Sequence, residues 1–197
     1  MLIIQKFQVL LLLLVIVAFP KEAQAQISLP EAFPGTVMDA DLEPLVEQFL
    51  VLAVKAKIRF PLPNKITRIQ LLPHAELMAR IKSRGNIQAV AILEPDTQET
   101  EILLASELII NPIELRVLLF HELLHAAGYG HPVKDCHWAE SGCGIMGQSP
   151  FPYLSMKSEH IDDVIRKSFT ARYLSRLPRI GENLESQNSG NDSESSD

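Results

Sequence analysis

Basic residues are in short supply. The 197-residue chain carries 18 lysines and arginines against 24 aspartates and glutamates, a formal net charge of −6. No basic stripe is left over to neutralise phosphates, so no nucleic-acid partner is expected. Cysteine is scarcer still, with only Cys136 and Cys143. No second cysteine pair accompanies them, which argues against a zinc site built on thiolates. No internal repeat is visible, and the length suits one domain with a core of its own.

Long apolar runs are missing except at the start, "MLIIQKFQVLLLLLVIVAFPKEAQAQ". Lys6 precedes an apolar run from Val9 to Phe19, and Ala23-Gln24-Ala25 follows. That is the layout of a secretory signal peptide over 1–25, cleaved after Ala25. A membrane anchor is the alternative, but the run is well short of the roughly 20 residues a spanning helix needs. No cysteine lies near the cleavage point to carry a lipid. The expectation is a secreted or periplasmic protein with no stable membrane anchor after cleavage.

Loss of 1–25 removes two lysines and one glutamate, leaving 16 basic and 23 acidic side chains. Five of those acids, Glu182, Glu185, Asp192, Glu194 and Asp197, crowd the C-terminal end, which is polar and free of lysine and arginine. Such a tail buries too little apolar surface to offset its ordering entropy. The chain therefore divides into a leader, an extended lead-in (26–38), a folded domain (39–178) and a disordered acidic tail (179–197). In an exported chain Cys136 and Cys143 are expected to form a disulfide. It would close a loop of about eight residues and contribute roughly 2–3 kcal/mol by chain entropy. Zinc ligation by the pair is the alternative.

Within the domain, Leu42, Leu45, Val46, Phe49, Leu50, Ala53 and Ala56 have helical spacing, with Asp41 placed to cap the helix and Pro44 in its first turn. The stretch "KITRIQLLP" reads as a strand, and "HAELMARIKSRG" as a short helix that Gly85 would end. "IQAVAIL" and "TEILLAS" read as two strands joined through a turn-rich connection. The class is α+β or α/β, with a small sheet.

The next helix has clear start signals: Asn111 at the N-cap, Pro112 at N1 and Glu114 at N3. From Ile113 to Ala127 its only charged residues are Glu114, Arg116 and Glu122, so the helix is expected to be buried. His121, Glu122 and His125 are costly there unless something satisfies them. His121 and His125 are one turn apart on one face, a spacing from which two imidazoles reach one metal ion. Glu122 points about 100° around the helix, where it can act as a base without being a ligand. Gly128 suits a left-handed turn that ends the helix and brings His131 back as third ligand.

The string H-E-x-x-H-x-x-G-x-x-H, filled by His121, Glu122, His125, Gly128 and His131, resembles the signature of the metzincin clan of zinc metallopeptidases. "SGCGIMG" is similar to the methionine turn that follows it in the clan, with Met146 as the floor beneath the histidines. "LSMKSEHIDDVIRKSF" resembles the C-terminal helix of matrixin-type members, with Ser158 as N-cap and Ile161, Val164, Ile165 and Phe169 as its buried stripe. "ILLAS" resembles the family's edge strand, which implies that Leu103, Leu104 and Ala105 pair with substrate. Tyr153, after the methionine turn, either lines the pocket for the residue following the scissile bond or simply packs.

The resemblance spans about 100–176 and implies a zincin-type α+β domain: a small twisted mixed sheet packed on the active-site helix, and a C-terminal helix after the methionine turn. It implies one catalytic Zn2+ and hydrolysis of peptide bonds in a peptide or protein by a zinc-activated water, with Glu122 as general base. Departures are visible. Three strands are found where the family sheet has five, Pro132 follows His131, and Gln148 stands where astacin-like members carry a tyrosine ligand. No cysteine precedes the motif to act as a latency switch. The third ligand has an alternative in "SEHIDD", a thermolysin-like glutamate. Two other functions stay open: a catalytically silent, zinc-stabilised binding protein, and a zinc hydrolase of cell-wall peptides.

Overall fold

The computed structural model describes residues 27–83, 85, 87–94, 96–109, 111–132, 144–147 and 158–180. The expected signal peptide, Cys136, Cys143, Tyr153 and the tail from 181 lie outside them. The elements, in chain order, are α1 (Leu29–Ala32), β1 (Val37–Met38), α2 (Glu43–Lys55), β2 (Lys65–Leu72), α3 (His74–Ile81), β3 (Ala89–Glu94) and β4 (Glu99–Ala105). Then come α4 (Pro112–Ala126), a 3-10 turn (Gly144–Met146), α5 (Ser158–Ser168) and α6 (Ala171–Leu174). The fold is mixed α+β, with an open sheet in the order β1-β2-β4-β3. β1, β2 and β4 run parallel, while β3 is antiparallel to β4.

Alternation along the strands sorts side chains onto two faces. On β4, Ile102 and Leu104 enter the main core, while Leu103 and Ala105 join a smaller cluster with Leu77 of α3. β2 departs from strict alternation because its register against β4 shifts between Ile66 and Arg68. The extra residue lets Ile66 and Ile69, three apart, both face the main core. That core is closed by α2, α4 and the end of α5. Phe49, Phe120 and Phe169 meet edge to face there, with ring centroids 5.4–6.0 Å apart.

Several expectations need correction. Residues 26–38 are not a plain extended lead-in: Ala32 and Phe33 are buried in the core, and Val37 and Met38 form the outermost strand beside β2. Asp41 does not cap α2. Leu42 stands at that position, wholly buried and already in helical conformation, so packing rather than a side-chain cap sets the start. Gly85 does not end α3, because Lys82 takes the left-handed C-cap conformation three residues earlier. Ser158, expected as N-cap, is the first residue of α5 itself. Arg179 and Ile180, assigned to the tail, are ordered: Arg179 bridges to Tyr129, and the Ile180 N–H donates to the Gly128 carbonyl.

The largest correction concerns the edge of the sheet. β4 lies between β2 and β3, and Leu103, Leu104 and Ala105 are fully buried. Their main-chain groups serve neighbouring strands, so they are not placed to pair with a substrate. Among the described residues, β3 is the free edge, beside α4.

Candidate metal centre

α4 begins as its sequence dictates. The Asn111 side chain accepts the Glu114 N–H at 2.8 Å, with Pro112 in the first turn, where no intrahelical N–H is needed. The Glu114 carboxylate, itself buried, also accepts from Gln88 Nε2 at 2.9 Å. Apolar side chains from Val117 to Ala126 bury the helix, leaving His121 and His125 half-buried on one face.

The end of α4 places the third histidine. Gly128 has φ +84°, its N–H donates to the His125 carbonyl, and the Tyr129 N–H donates to the Leu124 carbonyl. These two bonds form a Schellman turn, which requires the left-handed residue that glycine supplies without penalty. The chain reverses, and His131 returns to face His121 and His125. Its ring is the most open of the three.

The three Nε2 atoms converge. His121 lies 2.9 Å from His125, and His131 lies 3.1 Å from each of them. Two main-chain carbonyls decide what those atoms can be. His121 Nδ1 is 2.6 Å from the Ile145 oxygen and His125 Nδ1 is 2.8 Å from the Tyr129 oxygen. A carbonyl only accepts, so each Nδ1 carries the proton and each Nε2 presents a lone pair. Burial pushes His121 down to about 3, reinforced by repulsion from His125; it pushes His125 down to about 4 and lowers His131 as well. Neutral imidazoles with lone pairs aimed at one point repel each other unless a cation lies between them.

The donor set therefore fits a metal ion. Tetrahedral coordination at about 2.0–2.1 Å per nitrogen would separate the nitrogens by about 3.3 Å, close to the spacing seen. Among the described residues this is the one histidine, cysteine and carboxylate group close enough to share an ion. Glu159, offered by the thermolysin-like alternative, is an exposed residue of α5 outside that group.

Glu122 is buried and stands apart from the three rings. Its carboxylate lies beside the main-chain N–H of Ala91 on β3. Burial nevertheless raises its pKa to about 8, the Ala91 N–H opposing that rise only in part. Ala91 faces the free edge by the logic of the antiparallel ladder. The Ala105 N–H donates to the Gln88 carbonyl, and successive pairs alternate along the two strands. Ala89, Ala91 and Leu93 thus turn their main-chain groups away from β4. The carboxylate lies beside that edge.

The 3-10 turn holds His121 from the other side. Ile145 orients it through its carbonyl, and the Ile145 N–H donates to Ser168 Oγ at 3.0 Å. The Met146 side chain is wholly buried in the core, and its N–H donates to Tyr173 Oη at 3.4 Å. Gly144 has φ +55°, and a Cβ there would fall 2.3 Å from Ser168 Oγ and 2.7 Å from the Tyr173 ring. No family model, no curated protein and no solved structure matches this chain. The case for function rests on the residues themselves.

Sequence reasoning located every imidazole in the cluster but missed the groups that orient them: the carbonyls of Tyr129 and Ile145, Ser168, Tyr173 and Arg179. Only Gly144 carried a signal, as one of three glycines flanking Ile145 and Met146. His160 lies on an exposed face of α5.

Proposed function

We propose that the protein is an exported zinc-dependent metalloendopeptidase of minimal metzincin type. One observation carries the reading: three Nε2 lone pairs converge while Glu122, next along the helix from His121, reaches the free edge of the sheet. His121, His125 and His131 would hold zinc. Bound there, zinc supplies a Lewis acid that lowers the pKa of a water toward neutrality and polarises a peptide carbonyl. Glu122 takes a proton from the attacking water at its carboxylate oxygen and returns it to the leaving amine nitrogen as the C–N bond breaks.

The dication's charge opposes the burial that keeps the Glu122 proton on, favouring the ionised base when metal is bound. Substrate would lie extended along β3, pairing with the outward groups of Ala89 and Leu93 and with the Ala91 carbonyl by strand addition. Export is supported by the leader-like composition of 1–25. No helix among the described residues is long and apolar enough to cross a membrane.

The test is mass-spectrometric digestion of a diverse peptide library by zinc-loaded protein, with Glu122→Ala in parallel. Cleavage by the parent alone supports the reading. Equal cleavage by both overturns Glu122 as base. Silence from a folded, zinc-loaded parent overturns the endopeptidase and leaves a binding scaffold or a narrower hydrolase of cell-wall peptides.

A further inference from the structure

The stretch between the second and third histidines, 126–130, is clasped by residues from the far end of the chain. The Gly130 N–H donates to the Pro178 carbonyl at 2.8 Å, and the Ile180 N–H donates to the Gly128 carbonyl at 2.9 Å. Tyr129 and Arg179 face each other as an antiparallel bridge. The Arg179 guanidinium lies 3.9 Å from the centre of the Tyr129 ring, donates to Tyr129 Oη at 3.1 Å, and donates to the Ala127 carbonyl at 3.3 Å. One side chain thus stacks on the loop, caps a free carbonyl at the end of α4, and ties the Tyr129 ring. Its guanidinium also approaches Gly128, where a Cβ would fall 3.9 Å from Arg179 Nη1.

Tyr129 is the residue whose carbonyl fixes the tautomer of His125, and His131 lies two residues beyond it. We propose that Arg179 is a positioning residue for the metal centre, holding the 126–130 turn so that His131 and the Tyr129 carbonyl stay in register with His121. The proposal rests on the reading of the three histidines as metal ligands. Arg179 touches no histidine in the cluster. It acts through Tyr129 and the turn, in the manner of outer groups whose loss lowers metal affinity about 10–100-fold. Arginine suits the task because its planar fork stacks on an aromatic ring while donating to two oxygens at once. Lysine keeps the charge and loses the fork.

The experiment is a zinc competition titration against a chelator of known affinity, run on the full chain and on Arg179→Met, Arg179→Lys and His131→Ala. Thermal unfolding of each metal-free protein and the visible spectrum of each cobalt-loaded protein are recorded alongside. The expected result is about a tenfold or greater loss of zinc affinity in Arg179→Met, a smaller loss in Arg179→Lys. The cobalt spectrum of Arg179→Met should move toward that of His131→Ala, with metal-free unfolding little changed. A merely structural role would lower the unfolding temperature and leave the cobalt spectrum of the folded fraction as in the parent. Parent-like affinity in Arg179→Met, with affinity lost in His131→Ala, overturns the proposal and leaves the three-histidine reading standing. Parent-like affinity in His131→Ala, or no uptake by the parent, overturns both. If Arg179→Met does not fold, Arg179→Lys decides, and parent-like zinc affinity and cobalt spectrum there overturn the proposal.

Discussion

The Glu122 carboxylate lies beside the main-chain N–H of Ala91, bringing the buried helix against the edge strand β3. A carboxylate with a pKa raised to about 8, held against the strand that substrate would pair with, is placed to serve as a base. Replacing it with glutamine keeps an acceptor for Ala91 but removes the titrating oxygen. Glu122→Gln should bind zinc as the parent does and lose about 10²–10⁴-fold in kcat/KM. Zinc content and cleavage rate, measured on one preparation, check both halves, and parent-like turnover would count against the mechanism.

His131 is the most open of the three imidazoles and arrives from outside the helix. His131→Ala should fold and lose most of its zinc at micromolar free metal, since two imidazoles remain where three converged. Elemental analysis after dialysis reads the outcome. Full occupancy without His131 would mean that another group supplies the third bond.

Stability of the metal-free chain should depend on pH in two opposing ways. His121 and His125 have folded pKa values of about 3 and about 4, below the ordinary 6.5, so the unfolded chain binds more protons and stability falls as pH drops below about 6.5. Glu122 is raised from 4.5 to about 8, so the unfolded chain releases its proton first and stability falls as pH rises through that interval. Near pH 5.5 the two histidines outweigh the single glutamate; above about pH 7 only the glutamate still acts. The unfolding temperature should peak near pH 6–7, with a steep acid side and a shallower alkaline side. Glu122→Gln should flatten the alkaline side and steepen the acid side, because the glutamate opposes the histidines from about pH 4.5 upward. A metal-free profile that rises steadily from pH 6 to 8 would refute this balance.

Two glycines near the site should respond differently to alanine. At Gly128 the nearest atom to a new Cβ is 3.8 Å away, so Gly128→Ala meets only the left-handed backbone penalty, about 1–2 kcal/mol. At Gly144 the same change also drives a Cβ into Ser168 Oγ and the Tyr173 ring. Gly144→Ala should destabilise by about 3 kcal/mol or more and shift the Ile145 carbonyl that orients His121. Denaturant midpoints compare the two, and similar losses would mean that the 3-10 turn yields more easily than its packing implies.

Much of this was legible in sequence because it is local. The cap at Asn111, the one-turn spacing of His121 and His125, and the left-handed turn at Gly128 are all set by side chains within a few residues. The buried stripe of Ile161, Ile165 and Phe169 followed from helical periodicity. The edge of the sheet was misplaced, although a signal existed. The unbroken apolar run Ile102–Leu103–Leu104–Ala105 is what a strand covered on both faces needs, and β3 with its two alanines is the one left open.

The sequence by itself determined a capped, buried helix with three histidines and a glutamate in fixed order, because helix geometry turns spacing into direction. Tertiary structure decided which strand is the edge and which main-chain groups hold the imidazoles. It also brought Arg179 onto a turn fifty residues earlier. The contacts that hold the imidazoles run to peptide C=O groups, which every residue carries, so no side-chain pattern marks them. Only the packing of α4, β3 and the C-terminal segment against one another selects Ala91, Tyr129 and Ile145 from the rest.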